Sequence, residues 1–186
     1  MRKLAVVISL VAAVGLTVVA AAALADRGHG NGHGNRFSAK LTGFQETPSE
    51  STPGRGSFRA QLTNGGNTLH YTLHYEGFEA GEGNTLFSHI HFGQVGVAGG
   101  VSAFLCGGGN KPPCTPTQGT IEGDIVASDV VGPSGQGIAA GEFDELITAM
   151  RKGYTYANVH TTLNPAGLIR GQIHRGHGHD RGRGRG

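Results

Sequence analysis

The chain lacks most of the features that announce a function at first sight. It has only two cysteines, Cys106 and Cys114, too few for a disulfide-dense scaffold. Its one long uncharged apolar run, residues 4–22, lies at the extreme N-terminus, so no later segment is a candidate to span a bilayer. No Gly-x-Ser-x-Gly or Ser-x-His arrangement marks a nucleophile. No glutamate stands beside the histidines to act as general base for hydrolysis at a zinc centre. An excess of one charge is missing too, with 15 Lys plus Arg against 13 Asp plus Glu. The balance is uneven along the chain. Residues 37–174 hold 7 basic and 11 acidic side chains, a net of −4, whereas residues 26–36 carry +1 and residues 175–186 carry +3. That mildly acidic centre argues against a nucleic-acid partner. No tandem repeat is visible.

What is present begins with a targeting signal. Arg2 and Lys3 precede the apolar run, and Ala23-Leu24-Ala25 fits the small-x-small cleavage rule, so residues 1–25 read as a secretion signal peptide. The run is also long enough for an uncleaved anchor. Gly15 and the cleavage motif favour removal, which gives a secreted, extracytoplasmic chain with no membrane association after cleavage. Residues 26–36 and 175–186 are Gly/His/Arg-rich. With no apolar residue to offset the entropy of ordering glycine, they read as a disordered linker and tail. Their histidines, His29, His33, His177 and His179, are loose metal ligands at most. Residues 37–174 remain as one domain. In an exported chain, Cys106 and Cys114 read most simply as a disulfide closing the Gly/Pro loop between them. A thiolate metal site is the rival reading.

Within the domain the periodicity is mostly β. Residues 37–41, 57–62, 68–75, 86–92, 101–105, 120–127, 156–161 and 168–174 read as short strands. Asn64-Gly65-Gly66-Asn67 predicts a hairpin between the second and third. One helix is predicted over residues 143–152, where Phe143, Leu146, Ile147 and Met150 recur at helical spacing behind an acidic start. About eight strands and one short helix predict an all-β antiparallel sandwich or barrel.

The candidate functional residues are histidines. In a strand, His89 and His91 project to one face and Ile90 and Phe92 to the other. Further on, His160 shares a face with Asn158, while Val159 turns to the apolar side. Three neutral imidazoles can hold zinc or copper and leave a position open. Asn158, Arg170 and Gln172 are candidates to orient or flank them, and Arg170 is placed to guide an anion. The same trio can equally form a buried hydrogen-bond network closing one end of the sandwich. His70 and His74 fall on the wet side of their strand.

Four segments, in order, carry a resemblance. They are Leu41-Thr42-Gly43-Phe44-Gln45-Glu46-Thr47-Pro48, Ser88-His89-Ile90-His91-Phe92-Gly93, Tyr156-Ala157-Asn158-Val159-His160-Thr161 and Gly167-Leu168-Ile169-Arg170-Gly171-Gln172-Ile173. Together they resemble the chordin-type (CHRD) domain of animal extracellular and microbial exported proteins. Leu168 departs from the pattern, which usually has an acid there. The resemblance implies a Greek-key, immunoglobulin-like sandwich similar to copper–zinc superoxide dismutase, and it implies no established activity. The resulting expectation is a non-enzymatic extracellular binding module with a His89–His91–His160 site for copper or zinc. Its partner would be an extracellular protein or a cell-surface component. The alternative is a copper-dependent redox enzyme of the dismutase type. That activity needs further ligands and a way to steer superoxide, and no aspartate motif for a companion zinc is present.

Overall fold

A computed structural model describes residues 34–176. The signal-peptide reading and most of both Gly/His/Arg-rich segments lie outside the described residues. The strands are β1 (Arg36–Thr42), β2 (Arg55–Thr63), β3 (Thr68–Glu76), β4 (Thr85–Phe92), β5 (Gly100–Cys106) and β6 (Gly119–Ile125), then, after the helix α1 (Phe143–Arg151), β7 (Thr155–Thr161), β8 (Ile169–Gln172) and β9 (His174–Arg175). Strand pairing reaches Arg36 at one end and Arg175 at the other, where Phe37 lies opposite Arg175. The eight strands expected from periodicity are all there, with the last divided into β8 and β9.

Every ladder is antiparallel, and the strand order is β5-β4-β7-β8-β1-β2-β3-β6 with β9 beside β1. Local hairpins join β1–β2–β3 and β4–β5, while the β3–β4 and β6–β7 connections cross from one end of that order towards the other. This is a Greek-key arrangement. The sheet curls so that its two ends face each other over the core. Tyr71 on β3 donates its hydroxyl to the Leu105 carbonyl on β5 at 2.6 Å. The result is the barrel-like sandwich expected from the sequence. The β2–β3 hairpin needs left-handed backbone at Asn64, Gly65 and Gly66, whose φ values are 48°, 65° and 100°, and asparagine and glycine adopt it at least cost.

Strand alternation places Phe37, Leu41, Phe58, Leu69, Tyr71, Leu73, Tyr75, Ile90, Leu105 and Ile125 in one apolar core. Helix α1 adds Phe143, Leu146, Ile147 and Met150 to it, which is the stripe read from the sequence. Asp144 and Glu145 sit in its first turn and Arg151 in its last, each matched to the helix dipole. Cys106 and Cys114 form a disulfide with Cα atoms 5.1 Å apart. The loop it closes is pinned further where Gly107 donates to the Pro112 carbonyl at 2.9 Å and Lys111 Nζ meets Asp129 Oδ2 at 2.9 Å. Among the described residues, no helix is long and apolar enough to cross a membrane.

Candidate metal centre

Strands β4, β7 and β8 lie side by side, and their register aligns the outward-facing residues. His89 lies opposite Asn158, His91 opposite Tyr156, and Phe87 opposite His160; across the next ladder Asn158 faces Arg170 and Tyr156 faces Gln172. The intervening residues, Ser88, Ile90, Ala157, Val159 and Ile169, point into the apolar core. An outward face of a sheet is ordinarily wet, yet β7 is buried at every position. Loops cover this face, and the polar side chains hold them down. Arg170 Nη2 donates to the Gln94 carbonyl at 3.0 Å and Nη1 to Thr47 Oγ1 at 3.4 Å. Gln172 Nε2 donates to the carbonyls of Gly93 and Gly153 at 3.0 and 2.7 Å. The Gly99 amide donates to the Tyr156 hydroxyl at 3.0 Å. A second, polar layer is thereby sealed on the back of the sheet.

His89, His91 and His160 sit inside that layer, only 5%, 7% and 6% exposed. One ring nitrogen from each lies within 4.8 Å of the others. Three atoms so spaced share a point no more than about 2.8 Å from each, so a contraction of roughly 0.7 Å brings all three to metal–nitrogen bonding distance. The hydrogen bonds fix the ring orientations. His91 Nδ1 lies 3.0 Å from the Gly99 carbonyl and His160 Nδ1 lies 3.0 Å from the Pro165 carbonyl. A carbonyl only accepts, so both Nδ1 atoms carry the proton and both Nε2 atoms present lone pairs, the arrangement that orients a histidine towards a metal. His91 Nε2, His160 Nε2 and His89 Nδ1 are buried with no hydrogen-bond partner. A network built only for packing would satisfy such atoms; three orphans in one cluster call for an ion or a water between them.

Electrostatics keeps the three rings neutral. Burial pulls His89 down to about 3, with further depression from His160 and His91. Burial also pulls His91 down to about 4, opposed by its bond to Gly99, and it lowers His160 against the bond to Pro165. Neutral imidazole is the form that binds metal, so no proton needs to leave on binding near neutral pH. The residues present fit a copper or zinc ion, which they would hold through three nitrogens.

The CHRD domain family model matches residues 37–173. The chain belongs to the CHRD family. No curated protein and no solved structure matches it. Within this CHRD domain the sequence found the three histidines and the three flanking residues, and the structure brings all six onto one covered face. It shows the hydrogen bonds that Asn158, Arg170 and Gln172 make there. Asn158 Nδ2 approaches Glu46 Oε2 at 3.5 Å, while Arg170 and Gln172 fasten loops. Arg170 also lies over the Tyr156 ring, 3.4 Å from its centroid, and Tyr156 in turn stacks on His91 at 4.8 Å with planes 2° apart.

Four further residues complete the CHRD polar layer. Tyr156 occupies the outward parity of Asn158 and His160, a signal alternation offers. Phe87 packs on His89 and His160 at 4.9 and 5.1 Å, and Phe104 packs on His89 at 4.5 Å. Phe104 reaches the face because the β4–β5 register shifts beside His89, and no periodicity reveals a bulge. Glu46 comes from the first family segment. Burial pushes its carboxyl up to about 7, against the pull of Arg170. His70 and His74 lie elsewhere, on the solvent side of β3, 2.8 Å from Asp124 Oδ1 and 3.1 Å from Thr120 Oγ1. His174, two residues beyond Gln172, is exposed on β9.

Proposed function

We propose that this CHRD protein is an exported, non-enzymatic binding module that holds one metal ion on His89, His91 and His160. The observation that carries the reading is a cluster of three buried histidines that bring one ring nitrogen each to within 4.8 Å of the others and each leave one nitrogen without a partner. Secretion is supported by the N-terminal sequence pattern and by a disulfide suited to an oxidising compartment. The module's macromolecular partner would be an extracellular protein or a cell-surface component. A copper redox enzyme is less well supported, because substrate must reach the metal and these three lone pairs are sealed from solvent.

The reading is tested by metal analysis of the full chain purified from the export compartment. A companion protein carries alanine at His29, His33, His177 and His179, so that uptake by those histidines is subtracted. One equivalent of copper or zinc per chain should bind in both proteins and be lost in His91→Ala with the fold intact. Full retention by His91→Ala, or no uptake by the parent, overturns the assignment.

A further inference from the structure

Resting on that metal-site reading, we propose that the CHRD trio is a cuprous site, one that takes Cu(I) in preference to Cu(II) and Zn(II). The donor set gives the first reason. It consists of three neutral nitrogens with no anionic ligand, so a dication bound there keeps its full charge inside the protein. The cost of transferring an ion from water to a low-dielectric interior rises with the square of its charge, and only a paired or ligated anion offsets it. Cu(I) carries half the charge of its competitors.

Coordination number gives the second reason. Zn(II) sites are almost always four-coordinate, with water supplying the fourth ligand where the protein supplies three. Here His89 Nδ1, His91 Nε2 and His160 Nε2 are shut off from solvent without a partner, and the rings of Phe87, Phe104 and Tyr156 pack against the trio. Asn158 spends its Nδ2 on Glu46. Both of those side chains lie against Gly167, where an added Cβ would come within 2.7 Å of Glu46 Oε1 and 2.8 Å of the Asn158 amide. Cu(I), which shares the d10 configuration of Zn(II) but carries a single charge, accepts a coordination number of three more readily.

A buried cation gives the third. The Arg170 guanidinium stacks on Tyr156, which stacks on His91, placing a positive charge roughly 9 Å from an ion on His91 Nε2. At an effective dielectric near 20, each added unit of charge on that ion weakens its binding by about twenty-fold. Glu46, the acid of the layer, is half-neutral near pH 7 and offsets this only in part. Binding forms three nitrogen–copper bonds while Cu(I) sheds the ligands it arrived with. No electron moves, and no proton leaves the already neutral rings.

The test is anaerobic competition of the full chain, with its four terminal-segment histidines replaced by alanine, against colorimetric chelators for Cu(I), Cu(II) and Zn(II). One Cu(I) per chain is expected, bound at least a hundredfold more tightly than Zn(II) and more tightly than Cu(II). X-ray absorption should show three nitrogen neighbours and no fourth. Arg170→Gln should narrow the Cu(I)-over-Cu(II) preference by about twenty-fold, while Arg170→Lys keeps it; if neither variant folds, the parent's preference and its absorption spectrum decide the matter. Tighter binding of Zn(II) or Cu(II), or a four-coordinate Cu(I) spectrum, overturns the cuprous assignment and leaves the metal site standing. No uptake of any of the three ions overturns both.

Discussion

His70 and His74 on β3, and His89 and His91 on β4, occupy the same kind of position: the outward side of a strand, near its polar neighbours. Their fates differ completely. The His70 side chain is 51% exposed and meets Asp124, while His89 and His91 are sealed with lone pairs that meet nothing. Strand chemistry does not explain the difference. Cover does, because the outward residues of β1, β2, β3 and β6 are exposed or half-buried, whereas segments around Glu46, Gly99 and Pro165 fold over β4–β7–β8 and are tied to it by Arg170, Gln172, His91 and His160. Half of this sheet's outer surface is thus ordinary protein surface, and half is a second interior lined with polar groups.

The contrast can be broken most sharply by metal. Replacing His91 by alanine should lower affinity by more than a hundredfold, and replacing His70 or His74 should leave it unchanged; equal losses in a binding titration would erase the distinction between the faces. Acid comes next. The His91 value in the folded chain is about 4 against a reference of 6.5, so the unfolded chain binds more protons between those limits. Stability is therefore full above pH 6.5 and falls as pH drops towards 4, by on the order of 3 kcal/mol from this ring alone. Glu46 acts with the opposite sign. Its carboxyl, raised from 4.5 to about 7, contributes stability below pH 4.5 that fades as pH rises through 7. Denaturant midpoints from pH 4 to 8 should consequently rise to near pH 6.5, then level or dip. In Glu46→Gln the dip should vanish. A flat profile below pH 6.5 would show that the rings titrate as surface groups.

A smaller effect probes the cover itself. Gly167 has φ of 136°, and an added Cβ would press on Glu46 and Asn158. Gly167→Ala should therefore cost about 1–3 kcal/mol, and chemical denaturation with a change under about 0.5 kcal/mol would mean that the loop is free to shift. Smallest of all, His70→Ala should alter stability by less than about 0.5 kcal/mol, because its partner Asp124 is solvent-exposed.

Periodicity recovered the sheet well, since β1, β2 and β3 alternate cleanly between the core and an open face. It recovered the trio for the same reason: His89 and His91 share parity, and the family pattern pointed to His160. A buried trio was one of the two readings, but the segments that cover that face were not legible. Alternation reports two sides of a strand and is silent about what a distant loop lays on top, so nothing in the 156–161 pattern indicates that all seven positions of β7 are buried. Glu46 escaped notice because it stands outside any strand, and Phe104 because a bulge sets its direction. Arg170 and Gln172 also fasten loops, a role that depends on the carbonyls of Gln94, Gly93 and Gly153 and that no sequence pattern shows.

The claim at the centre is that three neutral imidazoles aim their lone pairs at one point. Nitrogen-15 NMR of the histidine rings, before and after one equivalent of a diamagnetic ion, Cu(I) or Zn(II), addresses it directly. The metal-free protein should show His91 and His160 as Nδ1–H tautomers, with His91 neutral well below pH 6.5. Addition of the ion should then shift His91 Nε2, His160 Nε2 and His89 Nδ1 together in slow exchange, with His70 and His74 unmoved. Charged rings at pH 6, the opposite tautomers, or shifts confined to His70, His74 and the terminal histidines would contradict it.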